Sequence, residues 1–307
     1  MNAAVLDVIK RSAAVPSMPQ VVLRFLQLMQ DPQFDYADLS KLLSTDPGTA
    51  SEILRLCNSA LFGVRQKVVS LRQALTLLGP KRTRSVLLGR YLVDSLAQKP
   101  AAGLDMSYFW RRSLAAAVVS SRLAEDSLGA RREEVFISAL LSDIGIPILA
   151  EAFTEQYQPI LTRFAPRQRP PTAEDEVKAV GVSHAEVSAM VLSHWTFPDT
   201  VYRAVNLHQS KHPGEGEAAL WARFIHSADL LAKLLCEVPD PEEVVAICTE
   251  ATEFVGSPVD KLLSLLPTVE SDVKELASAL RIDVVPSKVY GLIAKTVRER
   301  LTSAATV

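Results

Sequence analysis

Histidines are the first side chains in this sequence that point to chemistry, because imidazole both transfers protons and binds metals near neutral pH. All five lie between positions 184 and 226, namely His184, His194, His208, His212 and His226. His208 and His212 would share one helix face, although Pro213 predicts that the helix ends at that point. The clustering indicates a cavity that collects imidazoles. Each histidine could instead be a hydrogen-bonded core or surface residue, and the spacing alone favours that simpler alternative.

Two aspartates stand among apolar neighbours, where a carboxylate is unfavourable unless it is paired, hydrogen-bonded or bound to a metal. Asp143 lies within an apolar run over residues 136–149, and Asp229 lies in a similar setting after His226. Asp143 therefore requires a cationic partner, a hydrogen-bond donor or a metal ion. The alternative is that either acid faces solvent at the edge of a helix.

An uninterrupted basic stretch occupies part of the first third of the chain. Between positions 53 and 93 there are eight basic residues and no acidic ones. This basic stretch could bind a phosphate or an acidic partner surface, whereas a solvated face is the more common meaning of a charge run. Within it only Phe62 and Tyr91 are aromatic, which weakens its interpretation as a surface for single-stranded nucleic acid. The basic residues are Arg55, Arg65, Lys67, Arg72, Lys81, Arg82, Arg84 and Arg90.

Composition and charge exclude several classes of protein. Hydrophobic residues make up 48% and charged residues 22% of the 307 positions, which is typical of a globular protein. The net charge of −2 provides no general attraction to nucleic acid or to anionic membranes. Three separated cysteines without a CxxC pair indicate a reducing compartment, with neither a disulfide framework nor a thiolate zinc site. We find no signal peptide, membrane-spanning segment, Walker loop, GxGxxG or GxSxG motif, so we expect a cytoplasmic protein without membrane association.

Helices must position these residues, because the hydrophobic periodicity is helical almost throughout and no stretch alternates like a strand. Asp46 followed by Pro47 predicts a helix start, with Asp46 as the N-cap and Pro47 in the first turn. Gly79 followed by Pro80 predicts the end of one helix and the start of another. The fold class that follows is all-α.

Three regions are predicted along the chain. Residues 1–100 form an N-terminal helical bundle of short helices. Residues 101–236 form a helical core that contains every histidine and both aspartates discussed above. Residues 237–307 form a C-terminal helical extension, which is acidic in its first half and carries no chemical motif that we identify.

Several segments resemble the HDOD domain family in their order and spacing. The Asn-Ser-Ala-x-Phe segment at residues 58–62 is the most specific of them. The resemblance extends over roughly residues 15–235 and implies a multi-helix, HD-like bundle with an N-terminal helical subdomain and no significant sheet. The matching segments are residues 18–19, 46–47, 54–63, 74–79, 109–113, 140–145, 181–187, 195–198 and His208.

The resemblance implies a relation to the HD phosphohydrolases, in which a histidine, a His-Asp doublet and a later aspartate bind a divalent metal. That metal activates water against a phosphate ester. Position by position, Arg112 stands where the first histidine would be, and Ser142 stands where the histidine of the doublet would be. Asp143 keeps the aspartate of the doublet, and Asp229 matches the closing aspartate.

The two departures indicate that catalysis has been lost, although His184 and His208 match histidines of relatives that hold a second metal. A guanidinium group is always protonated and cannot ligate a metal, and a serine hydroxyl replaces imidazole poorly. We therefore expect a vestigial centre without a metal or any other cofactor. Our hypothesis is that Arg112 supplies the charge of the lost metal, pairing first with Asp143 and secondarily with Asp229.

The resemblance favours a non-catalytic signal-transduction protein over an enzyme. Its partner would be an unidentified signalling protein, of the kind found in bacterial second-messenger or motility pathways. Asn58 is a partner-binding candidate that could equally be a turn residue bonded to backbone. The candidate partner surface comprises Arg55, Asn58, Lys81, Arg82 and Arg84.

Two alternatives remain open at this point. The first is a divalent-metal-dependent phosphohydrolase that acts on a nucleotide or cyclic dinucleotide through Asp143, His184, His208 and Asp229, and the missing ligands argue against it. The second is nucleic-acid binding through the basic stretch, which the net charge does not support.

Overall fold

Every regular element in the part of the chain that the structure describes is a helix. The computed structural model describes residues 3–280 other than 13, 32–33, 60, 62–65, 99–100, 102, 167, 169–170, 238–240 and 257–258, together with residue 299. No strand occurs within these residues. The prediction of an all-α fold is therefore confirmed.

The described part of the N-terminal region contains five helices, and three of them begin at a residue whose side chain caps the first turn. The side chain of Asp46 accepts a hydrogen bond of 3.2 Å from the backbone N–H of Thr49, and Pro47 occupies the first turn, as predicted. Asp35 and Ser70 cap the two neighbouring helices in the same way. The helices are α1 (Ala3–Arg11), α2 (Gln20–Gln30), α3 (Tyr36–Leu43), α4 (Pro47–Cys57) and α5 (Leu71–Ala97).

The longest of these helices, α5, is divided by a kink at the predicted position. Gly79 has φ 71° and ψ 172°, which is open to glycine because it lacks a Cβ, and Pro80 follows it. The second half of α5 is buried on most sides. The Gly79-Pro80 pair thus turns the chain from the N-terminal helices toward the centre of the molecule.

The central part is organised around α6, which is apolar and buried on nearly every side. It packs against α8 and α14. A 3-10 turn at Gly129–Arg131 precedes α8. The central helices are α6 (Met106–Leu123), α7 (Glu125–Leu128), α8 (Arg132–Leu140), α9 (Gly145–Ala152), α10 (Thr154–Leu161), α11 (Ala173–Val180), α12 (His184–His194), α13 (Asp199–Leu207) and α14 (Glu217–Cys236).

The apolar run that contains Asp143 forms α8, a turn and α9. By length and composition alone, Arg132–Ala152 is the one stretch of the described chain that could cross a membrane. Most of it is buried inside the protein, and the turn at residues 141–144 interrupts it. The run therefore serves as core in this structure.

The C-terminal helices continue the bundle. Helix α15 (Pro241–Val255) packs on α14, and α16 (Val259–Leu280) packs on both α6 and α4. Arg122 of α6 and Asp272 of α16 form an ion pair at 2.9 Å. Helix α16 therefore contacts the N-terminal and the central helices together. The division at residues 100 and 236 stays a prediction.

Polar contacts fasten the N-terminal helices to the central ones. The indole N–H of the fully buried Trp195 donates to the carbonyl of Pro16 at 3.2 Å. Arg84 of α5 donates to the carbonyl of Thr196, whose φ of 58° is unusual for a residue with a Cβ. Arg82 of α5 pairs with the buried Glu133 of α8 at 3.2 Å. Arg82 and Arg84 of the basic stretch thus make contacts within the protein.

Glu133 predicts a pH-dependent contribution to stability. Burial raises the pKa of Glu133 from 4.5 to about 7, although Arg82 and Arg132 act in the opposite direction. The folded protein then binds this proton more tightly than the unfolded chain does, so stability is lost as the pH rises between these two values. Relative to Glu133→Gln, we expect the wild type to lose about 2 kcal/mol of unfolding free energy between about pH 5 and pH 8.

Urea denaturation of both proteins across this range measures the difference. Glu174→Gln removes the same charge from an exposed position and serves as the matched control. A constant difference between wild type and Glu133→Gln at every pH would show that Glu133 is ionised throughout.

Candidate functional site

Asp143 occupies the turn between α8 and α9, at the centre of the candidate site. Its side chain is 14% exposed. The neighbouring Ser142 is buried, and its hydroxyl donates to the carbonyl of Ala139 at 2.9 Å. The side chain that replaces the histidine of the doublet is therefore bonded to its own helix rather than to the site.

Two histidines converge on Asp143 from different helices. The Nε2 atoms of His184 and His208 lie 3.4 and 3.3 Å from the same Oδ1 oxygen of Asp143. His184 is the first residue of α12, where Ser183 and Glu186 form a capping box. His208 is the C-cap of α13. Each histidine therefore lies at a helix end, His184 at the start of α12 and His208 at the end of α13.

The other ring nitrogen of each histidine is also held. The Nδ1 of His184 lies 2.8 Å from a carboxylate oxygen of Glu176, and the Nδ1 of His208 lies 2.6 Å from the carbonyl oxygen of Val205. Tyr157 donates its hydroxyl to Glu176. These contacts fix the ring orientation, so that both Nε2 atoms face Asp143.

Charges are matched around His184. Burial lowers the pKa of His184, but the carboxylates of Glu176 and Asp143 on its two sides more than reverse this and raise it to about 10. Burial likewise raises the pKa of Asp143, and the hydrogen bonds from His184 and His208 outweigh it and hold the pKa well below its usual value. The stable arrangement is an imidazolium between two carboxylates.

Asp143, His184 and His208 could together hold a divalent cation. Their ligand atoms all lie within 4.8 Å of one another, and no other group of three or more such side chains occurs in the described part of the molecule. Two imidazole nitrogens and a carboxylate suit a transition metal. A metal would have to displace the proton that Glu176 and Asp143 favour on His184, which opposes metal binding.

Arg112 forms the second half of the centre with Asp229. Its Nε and Nη2 atoms donate to the two carboxylate oxygens of Asp229 at 3.1 and 2.8 Å, in the two-pronged geometry typical of arginine and carboxylate. Burial lowers the pKa of Arg112, and the charge of Asp229 reverses this and raises it above its usual value. The hypothesis named Asp143 as the first partner of Arg112, and the structure gives that place to Asp229.

A small cavity separates the two halves. Its volume of about 10 Å³ is enough for a single water molecule. Phe164 borders it and also contacts the ring of His184 edge-on, with 6.2 Å between ring centroids. A phosphate ester has no room between Arg112 and Asp143. The lining residues are Leu104, Tyr108, Phe109, Arg112, Asp143, Ile146 and Phe164.

The structure also places the remaining histidines. His226 lies behind His208, bonded through Nδ1 to its carbonyl at 2.9 Å and stacked on Phe254. His194 and His212 are exposed. His212 lies in the loop after α13, so the shared helix face of His208 and His212 does not form. The cavity that the clustering indicated thus receives two of the five imidazoles.

Sequence reasoning missed several residues that build the site. Glu176 is completely buried in α11 and bonds both the backbone N–H and the ring of His184. Ser188 accepts from the backbone N–H of Gly145 at 2.8 Å, and Gln209 contacts the Nε2 of His184 at 3.1 Å. The sequence signal for Glu176 is its i,i+4 spacing from the buried Val180, which turns it inward from a helix rich in acids.

The candidate partner residues have unequal surroundings. Asn58 exchanges two hydrogen bonds with the backbone of Val68, at 2.8 and 2.9 Å, so its surroundings match the alternative of a residue that bonds backbone. Arg82 and Arg84 form the internal contacts described above. Arg55 and Lys81 are exposed. Arg55 and Lys81 are therefore the candidate residues of this set whose side chains remain accessible to a partner.

The Arg112–Asp229 pair predicts a large effect of removing one partner. Asp229→Asn leaves the guanidinium of Arg112 buried without a carboxylate, and we expect the unfolding free energy to fall by about 2–3 kcal/mol in urea denaturation. Asp7→Asn is the control, because Asp7 and its partner Arg11 are largely exposed and should lose less than about 0.5 kcal/mol. Equal, small losses in both variants would mean that water solvates Arg112.

Close packing predicts that Gly145 cannot be replaced. A Cβ at this position would lie 2.2 Å from the backbone oxygen of His184, so α9 and α12 would have to separate. We expect Gly145→Ala to lose more than about 3 kcal/mol in urea denaturation. The control is Gly89→Ala, where the nearest atoms are 3.6 Å away on the Ile137 side chain and no loss is expected. Similar stability of the two variants would contradict this packing.

Comparison with known proteins places this arrangement in a family. Residues 15–211 match the HDOD domain family. An uncharacterised protein of Treponema pallidum (strain Nichols) is 25% identical over 203 residues, which cover 64% of this chain and 38% of that protein. The chain therefore spans well under half the length of this relative.

Solved structures share the fold. An HDOD domain protein from Geobacter sulfurreducens has a TM-score of 0.64 at 19% identity, covering 91% of this chain and 96% of its own. A suspected phosphohydrolase from Shewanella amazonensis SB2B has a TM-score of 0.67 at 22% identity, with coverage of 91% and 98%. A suspected signal transduction protein from Marinobacter aquaeolei VT8 has a TM-score of 0.61 at 18% identity, with coverage of 91% and 66%. At these identities the likeness concerns the fold alone, whereas the sequence match over residues 15–211 shows that the chain belongs to the HDOD domain family.

Proposed function

We propose that the protein is a non-catalytic signal-transduction module that acts by binding a partner, with an HD centre that no longer hydrolyses phosphate esters. The observation that carries this proposal is the two-pronged salt bridge from Arg112 to Asp229. A carboxylate that ligates a catalytic metal must direct its lone pairs to the ion. Here both oxygens of Asp229 accept hydrogen bonds from a guanidinium group that always keeps its proton.

Further contacts at the centre support the same proposal. Ser142 is bonded to its own helix, so the doublet offers only one ligand, Asp143. Glu176 and Asp143 raise the pKa of His184, and its Nε2 already contacts Asp143 at 3.4 Å. The adjoining cavity is of the size of one water molecule. Each of these features opposes one requirement of metal-dependent hydrolysis: ligand number, free lone pairs and room for substrate.

Membership of the HDOD family is compatible with this role. Among proteins of the same fold, one is named as a suspected signal transduction protein and another as a suspected phosphohydrolase. We infer a cytoplasmic regulator whose partner belongs to a second-messenger or motility pathway, and in which the centre has a structural role. Support for a reducing location comes from Cys57 and Cys248, two free cysteines that are buried.

A phosphohydrolase is the second candidate, and one observation favours it. Asp143, His184 and His208 retain the geometry of a three-ligand site, with Glu176 supporting His184 from behind. If a metal displaced the proton of His184, it would polarise bound water or a phosphate oxygen. The positively charged Arg112 would then stand near the site of reaction.

One experiment separates the two candidates. Protein purified without chelator is assayed for metal content, for Mn²⁺ binding by calorimetry, and for hydrolysis of bis(p-nitrophenyl) phosphate with added Mn²⁺. We expect a dissociation constant for Mn²⁺ on the order of 100 µM or weaker, and no hydrolysis above the buffer rate. Weak binding is expected because the proton of His184 opposes the metal.

The double variant Arg112→His, Ser142→His provides the positive control, since it restores the two missing ligands. We expect it to bind Mn²⁺ at least about 10-fold more tightly than the wild type. Asp143→Asn supplies the background. Mn²⁺-dependent hydrolysis by the wild type that disappears in Asp143→Asn would disprove the non-catalytic proposal.

A further inference from the structure

Several of the eight cations of the basic stretch make contacts within the molecule, which draws attention to the described cations that form no ion pair. Arg90 pairs with the buried Glu52, and Arg72 pairs with Asp35 at 3.7 Å. Arg82 and Arg84 join the two parts of the fold, as described above. Among the described residues of the stretch, four form no ion pair with a carboxylate: Arg55, Lys67, Lys81 and Arg84, of which Arg84 is bonded to the carbonyl of Thr196.

Arg55 and Lys67 border the same surface groove. The groove has a volume of about 610 Å³, within the range of binding sites for peptides and small ligands. Its walls are α4, the segment at residues 66–69 and the end of α16. Arg55 is exposed and makes one long contact of 3.4 Å with the carbonyl of Ser278. Its floor and rim are formed by Ser51, Leu54, Arg55, Asn58, Lys67, Val68, Val69, Glu275 and Ser278.

The groove combines these cations with an apolar surface held in a fixed position. Val69 is 74% exposed, more than any other large hydrophobic residue in the described part of the chain. Val68 beside it is buried, and Asn58 holds both its N–H and its carbonyl. An exposed apolar side chain on a wall that is already ordered is a feature of binding surfaces, because little conformational entropy is lost on association.

We propose that this groove docks an acidic segment of a protein partner, with an apolar side chain seated on Leu54 and Val69 and carboxylates paired to Arg55 and Lys67. The occupant follows from charge complementarity, since Glu275 on the α16 wall is the only acid among the described residues that line the groove. The proposal rests on the proposed function and names the chemistry of the partner. It also assigns a role to α16, which supplies one wall of the groove.

Other clefts fit an acidic segment less well. The groove between α15 and the loop after α13 has a volume of about 450 Å³. It carries Lys211 and Arg223, but also Glu215 and Glu253, and Arg223 is bonded to the carbonyl of Gly214. Its charges are balanced internally, which removes the electrostatic preference for an acidic partner.

Fluorescence anisotropy with the full-length protein tests the proposal. The probe is a short dye-labelled peptide in which glutamate and leucine alternate. We expect saturable binding with a dissociation constant of about 10–100 µM. Arg55→Glu and Lys67→Glu should each weaken binding about 5- to 10-fold, and Val69→Ser about 3-fold. Circular dichroism checks that each exposed substitution leaves the helices intact.

Lys81→Glu is the matched control, because it makes the same charge change on the same basic stretch outside the groove. It should change the affinity by less than about 2-fold. Equal weakening by Lys81→Glu and Lys67→Glu would overturn the proposal in favour of a general charge effect. If a peptide with serine in place of leucine binds equally well, the apolar side chain does not contribute to binding, and the proposal is overturned as well.

The remaining outcomes also decide the question. Absence of saturable peptide binding up to about 1 mM overturns the groove. The proposal is also overturned if the protein binds single-stranded oligothymidylate instead of the peptide and this binding depends on Lys67. Neither result bears on the inertness of the centre, which the Mn²⁺ and hydrolysis assays measure separately. Conversely, hydrolysis by the wild type would disprove the proposed function whatever the groove binds.

Discussion

The structure depends on one constraint, which is the carboxylate of Asp143 in the middle of an apolar core. The turn that carries it lies between two helices that are buried almost completely. An ionised carboxylate in such a place requires partners. His184 and His208 meet this requirement from the ends of α12 and α13, and Glu176 in turn balances the charge of His184. The arrangement of α9, α11, α12 and α13 is therefore tied to the solvation of a single charged group.

Arg112 and Asp229 solve the same problem on the other side of the small cavity. In a metallohydrolase, a divalent ion would compensate several carboxylates at once. Here a guanidinium compensates Asp229 and an imidazolium compensates Asp143. Such pairs contribute little net stability compared with apolar packing, but losing one member leaves a buried charge unpaired. A centre built in this way requires no metal, but it is destabilised when either partner of a pair is lost.

Internal use of charge also explains the surface. A run of eight basic residues looks like a binding face in the sequence, and the fold spends several of them on Glu52, Glu133 and the turn at Thr196. Two of the cations that remain exposed, Arg55 and Lys67, border the groove that α16 closes beside α4. The C-terminal helices are thus a structural part of the bundle, joined to α6 by Arg122 and Asp272.

The sequence by itself determined the all-α class, the capped start of α4, the break at Gly79 and the family. These features follow from local rules, in which neighbours within a few residues set the outcome. The resemblance to the HDOD family also predicted a centre at Arg112, Ser142, Asp143, His184, His208 and Asp229. In the structure Asp143, His184 and His208 lie together and Arg112 pairs with Asp229.

Only the tertiary structure decided which charged side chains of the centre pair with each other. Arg112 and Asp229 are 117 positions apart, and the choice of Asp229 over Asp143 depends on how α6 and α14 pack. Glu176 was missed because its role requires α11 to lie against the start of α12, and nothing in its own neighbours marks it as a partner of His184. Burial of a charge is decided by long-range packing, and the short-range pattern of a sequence does not contain that information.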